Sequence, residues 1–382
     1  MAYRARWLDA IDAVDPAAWN GLGGTDCPFL RHEFLAALEH SGCVGRRSGW
    51  QPMHLVIEDE SGVAAAAPAY LRADSWGEFV FDFAWARAYE SAGLDYYPKL
   101  VLAVPFSPVT GPRLLLRPGA DPALKEALVA QVQGLVHERR LSSAHALFPD
   151  IDDQSVFAGA HWLARRDCQF HWENRGYADY EAYLATFTAE KRKKARRERR
   201  RVEEAGIRFL TLSGTDISAD QLEAAHVFHE RNFRRHGHKP YLNRGFFAEI
   251  TRTMGDRLMV KMALQGETAV AASIFFWSQE ALYGRYWGSA DDFHSLHFDC
   301  CYHQGIEFCI EKGIRRFEPG TQGEHKVSRG FEPRYTASAH YIADPRFRHA
   351  IAGFVARETE AVGQYADEVA RHTPFRKGTA EP

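Results

Sequence analysis

The sequence predicts a mixed α/β protein with two domains. The chain has 382 residues, and because a domain averages roughly 150 residues, this length favours two. Segments with strand spacing alternate with segments with helix spacing in both halves. Hydrophobic residues make up 46% of the chain and charged residues 25%. Such a composition is ordinary for a globular protein and supports a large core rather than disorder.

The second half has the clearer order of elements. In the helices apolar residues recur three and four positions apart, and in the strands they alternate between turns. Gly313 follows the helix predicted at 295–312, and a glycine just after a helix typically ends it. The predicted elements are a strand at 207–212, helices at 218–236 and 244–255, strands at 257–264, 269–277 and 281–289, a helix at 295–312 and a strand at 314–318. Three antiparallel strands, a helix and a returning strand form an order that resembles the core of the GNAT acyltransferases.

The first half has a similar order with more decoration. Its predicted elements are a hairpin of 53–58 and 63–71, an aromatic-rich stretch at 75–113, a helix at 121–140, a strand at 144–148, a helix at 154–165 and a strand at 168–172. We therefore predict two tandem GNAT-like domains with mixed sheets (the acyl-CoA N-acyltransferase fold), at 1–175 and 176–382. The second domain includes a basic helix within 180–204, which starts amphipathic and continues without a break. A further helix is predicted at 346–372.

The charges and cysteines exclude several classes of protein. The net charge of −3 argues against a protein that coats nucleic acid, so any polyanion site must be local. No apolar run approaches the ~18–20 residues of a membrane span, and no signal peptide is evident. The six cysteines include no CxxC pair. We therefore expect reduced thiols, no transmembrane segment and a cytoplasmic location.

Four blocks of sequence, at 75–82, 96–113, 236–242 and 316–326, carry a family resemblance. They resemble the FemAB-like family of predicted N-acyltransferases, which are associated with peptidoglycan biosynthesis. The basic segment 191–197 and the segment 326–331 are similar to parts of the Fem aminoacyltransferases. Those enzymes have two GNAT-like domains and attach amino acids from charged tRNA to cell-wall precursors. The resemblance thus implies an N-acyltransferase whose acceptor is a small-molecule or peptide amine.

The same resemblance implies a donor that is a substrate rather than a permanently bound cofactor. Acyl-CoA and aminoacyl-tRNA are the two candidates. The sequence lacks an R/Q-x-x-G-x-G/A loop for the CoA pyrophosphate, which favours a donor other than acetyl-CoA. It also lacks the coiled-coil arm that some Fem enzymes have. The sequence does not indicate an oligomeric state.

Acyl transfer to an amine requires a base for the amine proton, a group that stabilises the oxyanion, and a means of holding both substrates. GNAT-type folds supply the oxyanion contact from a splayed strand pair. The polar segment after the strand at 314–318 offers the catalytic candidates, because ligands bind at strand ends in α/β sheets. Glu318, Glu324 and His325 are candidate bases, and Lys326 is the candidate for contacting an oxyanion or a phosphate. The alternative is a charged surface loop with glycines at its turns.

Two further groups of polar residues are predicted to contact substrate. The loop after the helix at 218–236 contributes His236, His238, Lys239 and Tyr241, for which the alternative is a helix cap and turn. The aromatic-rich stretch contributes Asp82, Lys99 and Arg113, which we expect to orient the acceptor if its cleft lies there. For these three residues the alternative is a purely structural role.

The basic run at 191–201 has nine Lys or Arg in eleven positions. A helix with cations all round is not expected to bury any face, so it must be solvated or meet a polyanion. We predict phosphate binding by Lys191, Lys194, Arg197 and Arg201, with tRNA, a nucleotide-linked precursor or CoA as the ligand. The alternatives are a solvated helix supported by Glu198, Glu203 and Glu204, and a noncatalytic RNA- or nucleotide-binding module that uses this helix.

Histidines, cysteines and an aspartate between 294 and 303 raise the question of a metal. His297 and Cys301 are four residues apart, as are Asp299 and His303, but the two pairs lie on different faces of the predicted helix. Aromatic neighbours such as Phe298 favour packing in a core. We therefore predict no metal site there.

Overall fold

A computed structural model describes residues 3–321 and 323–376. The chain forms two compact units, described separately below. The first unit consists of 1–167 and 335–363, and the second of 168–334 and 364–382. The two units thus separate after Asp167, and a C-terminal stretch returns to the first of them. The sequence-based domain boundary after residue 175 stays a prediction.

The strands and helices follow in chain order. The strands are β1 (Arg4–Leu8), β2 (Trp50–Pro52), β3 (His54–Asp59), β4 (Gly62–Ala67), β5 (Ala69–Arg72), β6 (Lys99–Leu102), β7 (Leu115–Leu116), β8 (Ser143–Leu147), β9 (Leu163–Glu173), β10 (Ile207–Ser213), β11 (Leu258–Gln265), β12 (Thr268–Trp277), β13 (Ala281–Ser289), β14 (Arg316–Glu318) and β15 (Glu332–Ile342). The α-helices are α1 (Pro16–Asn20), α2 (His32–His40), α3 (Phe83–Ser91), α4 (Ala123–Glu138), α5 (Ile151–Gly159), α6 (Tyr180–Ala185), α7 (Ala189–Glu204), α8 (Ala219–Arg235), α9 (Arg244–Thr253), α10 (Leu296–Phe298), α11 (Gln304–Lys312) and α12 (Pro345–Ala370). A π-helical turn, Asp299–His303, joins α10 to α11, and short 3-10 helices occur at Ile11–Ala13, Pro28–Leu30, Arg46–Ser48, Gly255–Arg257 and Glu324–Arg329.

The first unit contains two groups of paired strands. One has the order β1-β3-β4-β7 and is antiparallel. The other has the order β15-β8-β6-β5-β2, in which β6 and β8 are parallel and the remaining pairs are antiparallel. Helices α4 and α5 cover a core of apolar side chains that includes Leu102, Leu128, Val132 and Phe157. The apolar faces of these two helices and of the strands beneath them are thereby buried.

The predicted hairpin in the first unit is only partly correct. Strands β3 and β4 form it, but the segment predicted as one strand to residue 71 is two strands separated by Pro68. Proline has no N–H to donate and interrupts the ladder of hydrogen bonds. After Pro68 the chain enters the other sheet, where β5 pairs with β2 and β6.

The second unit has strand order β10-β11-β12-β13-β14-β9. All neighbours are antiparallel except β13 and β14, which are parallel and flank the helical segment 296–312 in sequence. Helix α8 begins with a complete capping box between Ser218 and Gln221, and Gly313 ends α11 in the left-handed conformation. The predicted order of three antiparallel strands, a helix and a returning strand is therefore present.

Two predicted helix boundaries are wrong. The helix predicted to reach residue 165 ends at Gly159, and β9 begins at Leu163 after His161 adopts a positive φ of 62°. The helix predicted to run unbroken through 180–204 is two helices, α6 and α7. Three residues, 186–188, separate them, because α7 starts from an extended Thr188 with a ψ of 153°.

A close approach of helix α8 to strand β13 provides a test of the packing. A Cβ atom added at Gly288 would lie 1.9 Å from the backbone oxygen of Phe228. Because the obstacle is helix backbone, no side chain can move aside, and Gly288→Ala should destabilise the protein by about 1–3 kcal/mol. The matched control is Gly134→Ala in the interior of α4, where no atom lies within 4 Å of the added Cβ. It should stabilise by about 0.5–1 kcal/mol.

Thermal and urea unfolding of both glycine variants measure this difference. A Gly288→Ala protein with the parent's unfolding midpoint would show that α8 does not pack on β13 as closely as described. A Gly134→Ala protein that loses stability would contradict the open space around α4.

Candidate active site

The parallel strands β13 and β14 part at one end of their pairing. Their register runs from Ala281 opposite Arg316 to Tyr283 opposite Glu318, and the chains then continue as Gly284 and Pro319. Just beyond Tyr283, Arg285 is the extra residue of a β-bulge, since Ile274 pairs with Tyr286 but Phe275 pairs with Gly284. A bulge re-aims side chains and is frequent beside functional sites. The end of the β13–β14 pairing and the β-bulge of β13 therefore lie next to each other.

A cavity of about 190 Å³ lies beside this β-bulge. Strands β12 and β13, helix α8, the segment 297–302 and Pro319 all contribute to its walls. Its polar lining residues include His229, Asn232, Ser273, Arg285, His297 and Tyr302. A concave site with a few converging polar groups in an otherwise aromatic wall is typical of a binding site for a small group.

The two histidines of the cavity wall are neutral at physiological pH. Burial lowers the pKa of His229 to about 3 and that of His297 to about 4, where the neighbouring charges of His325, Arg329 and Lys326 add to the effect. Neither ring nitrogen of His229 has a hydrogen-bond partner in the described parts of the chain. A bound ligand with a polar group would satisfy these nitrogens, which are costly to leave buried and unpaired.

Lys326 is a buried amine in the polar segment after β14. Lys326 lies in the short helix Glu324–Arg329, and its Nζ donates a hydrogen bond to the carbonyl oxygen of Gly320 at 2.8 Å. Burial, together with the positive charge of Arg285, lowers the pKa of Lys326 to about 7. The two cations thus favour any negative charge that forms or binds nearby.

Glu318 ends strand β14 and is also buried. Its Oε1 accepts a hydrogen bond from Arg316 Nε at 2.8 Å, whereas its Oε2 has no hydrogen-bond partner among the described residues. The next residue, Pro319, lines the cavity. The Glu318 carboxylate is therefore buried, with one oxygen able to accept a further hydrogen bond.

The other two predicted bases lie differently. Glu324 is exposed. His325 is also exposed, but its Nε2 is 2.9 Å from the hydroxyl oxygen of Tyr302, which lines the cavity. Burial and the charges of Lys326 and Arg329 lower the pKa of His325. Of the four predicted catalytic residues, Glu318 and Lys326 are thus enclosed and His325 contacts the cavity wall through Tyr302.

The loop predicted to contact substrate follows helix α8. His236, His238 and Lys239 are exposed, and His236 Nδ1 lies 2.8 Å from the backbone oxygen of Asn232. Tyr241 packs edge-on against Phe233 at a ring distance of 5.8 Å. Because Asn232 and Phe233 line the cavity, this loop lies against the outer side of its wall. Substrate contact by these residues stays a prediction.

The basic helix α7 contradicts the expectation that it buries no face. Ala195, Glu198 and Val202 are buried at helical spacing. Glu198, expected to support a solvated face, instead accepts hydrogen bonds from Arg329 at 2.6 and 3.0 Å. The expectation failed because it considered only the cations of the helix. Glu198 can be buried because Arg329, from a distant part of the chain, is its counter-ion.

The four predicted phosphate-binding residues lie beside that buried face. Lys194, Arg197 and Arg201 are exposed, and Lys191 is half-buried. Arg201 Nη1 lies 3.1 Å from His294 Nε2. Three cations on one exposed side of a helix are available to a phosphate-rich ligand. Phosphate binding by these residues stays a prediction.

The three polar residues predicted in the first unit are enclosed by their own unit. Lys99 Nζ donates to Ser75, Glu78 and Asp82 at 2.8, 2.8 and 2.5 Å. Arg113 donates to the backbone oxygens of Val109, Gly111, Pro112 and Leu147. All three predicted residues, Lys99, Asp82 and Arg113, are buried. Their described contacts hold the aromatic-rich stretch together, and a role in orienting the acceptor stays a prediction.

Sequence reasoning missed several residues of the cavity. Arg285, His229 and Ser273 lie within a strand or a helix, where their spacing suggests only sheet or helix packing. One signal was available, since Gly284 interrupts a strand and an internal glycine often marks a bulge.

Across residues 3–321 and 323–376, no group of three or more His, Cys, Asp or Glu side chains could hold a metal ion. In the same ranges, no helix is both long enough and apolar enough to cross a membrane.

Similarity to solved structures defines the fold class of the protein. The structure matches FemX with a TM-score of 0.55 and 8% identity, over 92% of this chain and 100% of that chain. It matches the C-terminal DUF2156 domain of a putative lysylphosphatidylglycerol synthetase from Agrobacterium fabrum with a TM-score of 0.54 and 11% identity, over 89% and 95%. It matches L-PGS from Bacillus licheniformis with a TM-score of 0.52 and 11% identity, over 85% and 96%. At these identities the matches show the fold, and the predicted tandem GNAT-like fold is confirmed.

The family follows from the sequence itself. The model of the FemAB-like family, described as peptidoglycan biosynthesis/recognition, matches residues 10–377. The chain therefore belongs to the FemAB-like family, as the resemblance predicted, and it is an acyl- or aminoacyltransferase. No protein of curated function matches the sequence significantly.

Proposed function

We propose that this protein transfers an acyl or aminoacyl group from a phosphate-bearing donor to an amine, and that the transfer takes place at the cavity lined by β12, β13 and α8. The observation that supports this most is the buried Lys326 amine beside the parted strands, with Arg285 nearby. Two cations close to a small cavity suit the negative charge that develops when an amine attacks a carbonyl. The family description supports a peptidoglycan precursor as the acceptor.

The reaction assigns one role to each enclosed residue. The acceptor nitrogen attacks the donor carbonyl carbon, and the carbonyl oxygen becomes an oxyanion that the Lys326 ammonium group stabilises. The amine proton passes to the free Oε2 of Glu318. Collapse of the oxyanion breaks the bond to the carrier, and Glu318 returns the proton to the departing sulfur or oxygen. Because the amine attacks directly, no covalent enzyme intermediate is needed.

Calorimetry and a transfer assay test the proposed function together. CoA, acetyl-CoA and an aminoacyl-tRNA are each titrated into the protein, and labelled acyl transfer to a pool of amines is then measured with any donor that binds. Binding of one donor at a single site together with amine-dependent transfer would support the proposal. A protein that binds none of these donors and transfers nothing would overturn it.

A second candidate function is binding of RNA or nucleotide without catalysis. The exposed row of Lys194, Arg197 and Arg201 favours it. It predicts a protein that binds tRNA through this row but releases no transferred product with any amine. Transfer that depends on Lys326 would exclude this second candidate.

Neutralising the exposed row of α7 should weaken donor binding in a salt-dependent way. In the variant with glutamine at 194, 197 and 201, the slope of log K against log salt should fall by about 2 to 3, since each phosphate contact adds about 0.7–0.9. The matched control removes three cations from another side of the same helix, Lys193, Arg196 and Arg200. It should keep the parent's slope. Equal slopes for both triple variants would show that the net charge of the helix, rather than this row, attracts the donor.

A further inference from the structure

Glu198 holds a position that the proposed reaction does not explain. It is the acidic member of the buried face of α7, and its side chain is only 8% exposed. Its carboxylate receives Arg329 Nη2 at 2.6 Å and Arg329 Nε at 3.0 Å, and His303 Nε2 lies 3.1 Å away. A two-pronged pair of this kind fixes both the distance and the orientation of a guanidinium group. Glu198 therefore ties α7 to residues 131 positions later in the chain.

Arg329 carries this tie into the segment that holds the proposed catalytic amine. It is the last residue of the short helix Glu324–Arg329, and its Nη1 donates to the backbone oxygen of His325 at 2.6 Å. Its guanidinium carbon lies 3.6 Å from the ring centre of Phe298, so the group is stacked as well as paired. The short helix is thereby held in place by a side chain whose own orientation depends on Glu198.

Two contacts connect the short helix to the cavity. The ring of His325 meets the Tyr302 hydroxyl at 2.9 Å, and Tyr302 lines the cavity. Lys326 follows His325 directly and is buried. A continuous series of hydrogen bonds thus leads from Glu198 through Arg329 and His325 to the cavity wall.

The exposed cations of α7 lie close to Glu198 along the helix. Lys194 is four residues before Glu198 and Arg201 is three residues after it, so both are its neighbours along the helix surface. Arg197 precedes it directly. The cations proposed to bind donor phosphate therefore stand on the same turns of α7 as the glutamate that grips Arg329.

We propose that Glu198 is a positioning residue that couples the donor-binding side of α7 to the catalytic segment 324–329, so that a docked donor sets the geometry of Lys326. This inference rests on the proposed function. Catalysis is sensitive to small displacements, and an error of about 1 Å in a reacting group can reduce the rate about 10²-fold. A buried ion pair that aligns the segment would act at this level.

The test compares Glu198→Gln with Glu203→Gln, an exposed acid on the same helix. Both variants lose one negative charge, but only the first leaves the buried Arg329 without its counter-ion. We expect Glu198→Gln to lower kcat about 10- to 100-fold while donor affinity changes little. Glu203→Gln should match the parent in both. Glu198→Asp keeps the charge and should retain part of the kcat that Glu198→Gln loses. If circular dichroism shows that the glutamine variant does not fold, the aspartate variant takes its place in the test.

Hydrogen exchange gives a readout that does not depend on activity. With the donor that binds in calorimetry, the backbone amides of 324–330 should exchange more slowly in the parent and in Glu203→Gln, but not in Glu198→Gln. Unchanged kcat and unchanged protection in the folded Glu198→Gln variant would overturn the coupling and leave the transferase proposal standing. A parent protein without donor binding or transfer would overturn the proposed function, and the coupling with it.

Discussion

Lys99→Met should destabilise the first unit by about 3–5 kcal/mol, the largest stability effect that we expect for a single substitution in this chain. The Lys99 amine is fully buried and donates to Ser75, Glu78 and Asp82. Without it, Glu78 would keep its ion pair with Arg72, whereas Asp82 would keep only the hydrogen bonds that neutral Ser75 and Tyr96 donate. A buried carboxylate that loses its partner has neither water nor a counter-charge, so its desolvation is uncompensated.

Urea unfolding followed by circular dichroism measures the effect, with Arg87→Met as the matched control. Arg87 is an exposed cation of the same unit, and its loss should change stability by less than about 0.5 kcal/mol. If Lys99→Met unfolded at the same urea concentration as the control, the buried network would be dispensable. Lys99 would then again be a candidate for a role toward the acceptor.

Lys326→Met should lower kcat/KM about 10²- to 10³-fold without loss of fold, the largest effect on activity that we expect. This magnitude is typical for removal of a group that stabilises an oxyanion. The variant should be at least as stable as the parent at pH 7, because burial disfavours the charged amine and methionine fills similar space. A loss of activity accompanied by unfolding would contradict this assignment.

The pH dependence separates an oxyanion-stabilising role from that of a base. The pKa of Lys326 is lowered to about 7, so its amine is charged below that pH and neutral above it. If the ammonium form stabilises the oxyanion, kcat/KM should decline as the pH rises past about 7. Lys326→Arg, which stays charged at every pH used, should retain part of the activity and lack this decline. An activity that instead rises through pH 7 and is absent from the arginine variant would make Lys326 the base.

Local patterns in the sequence were sufficient for several elements of the second unit. The spacing of apolar residues predicted the strand at 207–212 and the helix at 218–236, and both exist within one residue of those bounds. Such patterns succeed because side chains repeat every 3.6 residues in a helix and every two in a strand, whatever the rest of the chain does. The same locality explains the two failures near Gly159 and Thr188, where the breaks depend on single backbone angles.

The polar segment at 318–330 was also identifiable from sequence as a candidate site, because polar residues and glycines follow a short apolar strand. What the pattern could not supply was the environment of each side chain. Glu324 and Lys326 are two residues apart, yet one is exposed and the other is buried. The cavity wall combines α8, β12, β13 and the segment 297–302, which meet only after the sheet has formed.

Length, composition and periodicity predicted an α/β protein with two domains and a polar segment at a strand end, and the order of the elements resembles the GNAT core. The roles of the charged residues required long-range contacts. From the sequence alone, Glu198 was expected to support a solvated helix and Lys99 to orient an acceptor. In the structure Arg329 pairs with Glu198, and Glu78 and Asp82 accept hydrogen bonds from Lys99. The reason is physical: periodicity arises from neighbouring residues, whereas the burial and pairing of a charge depend on segments that are distant in the chain and adjacent only in the folded protein.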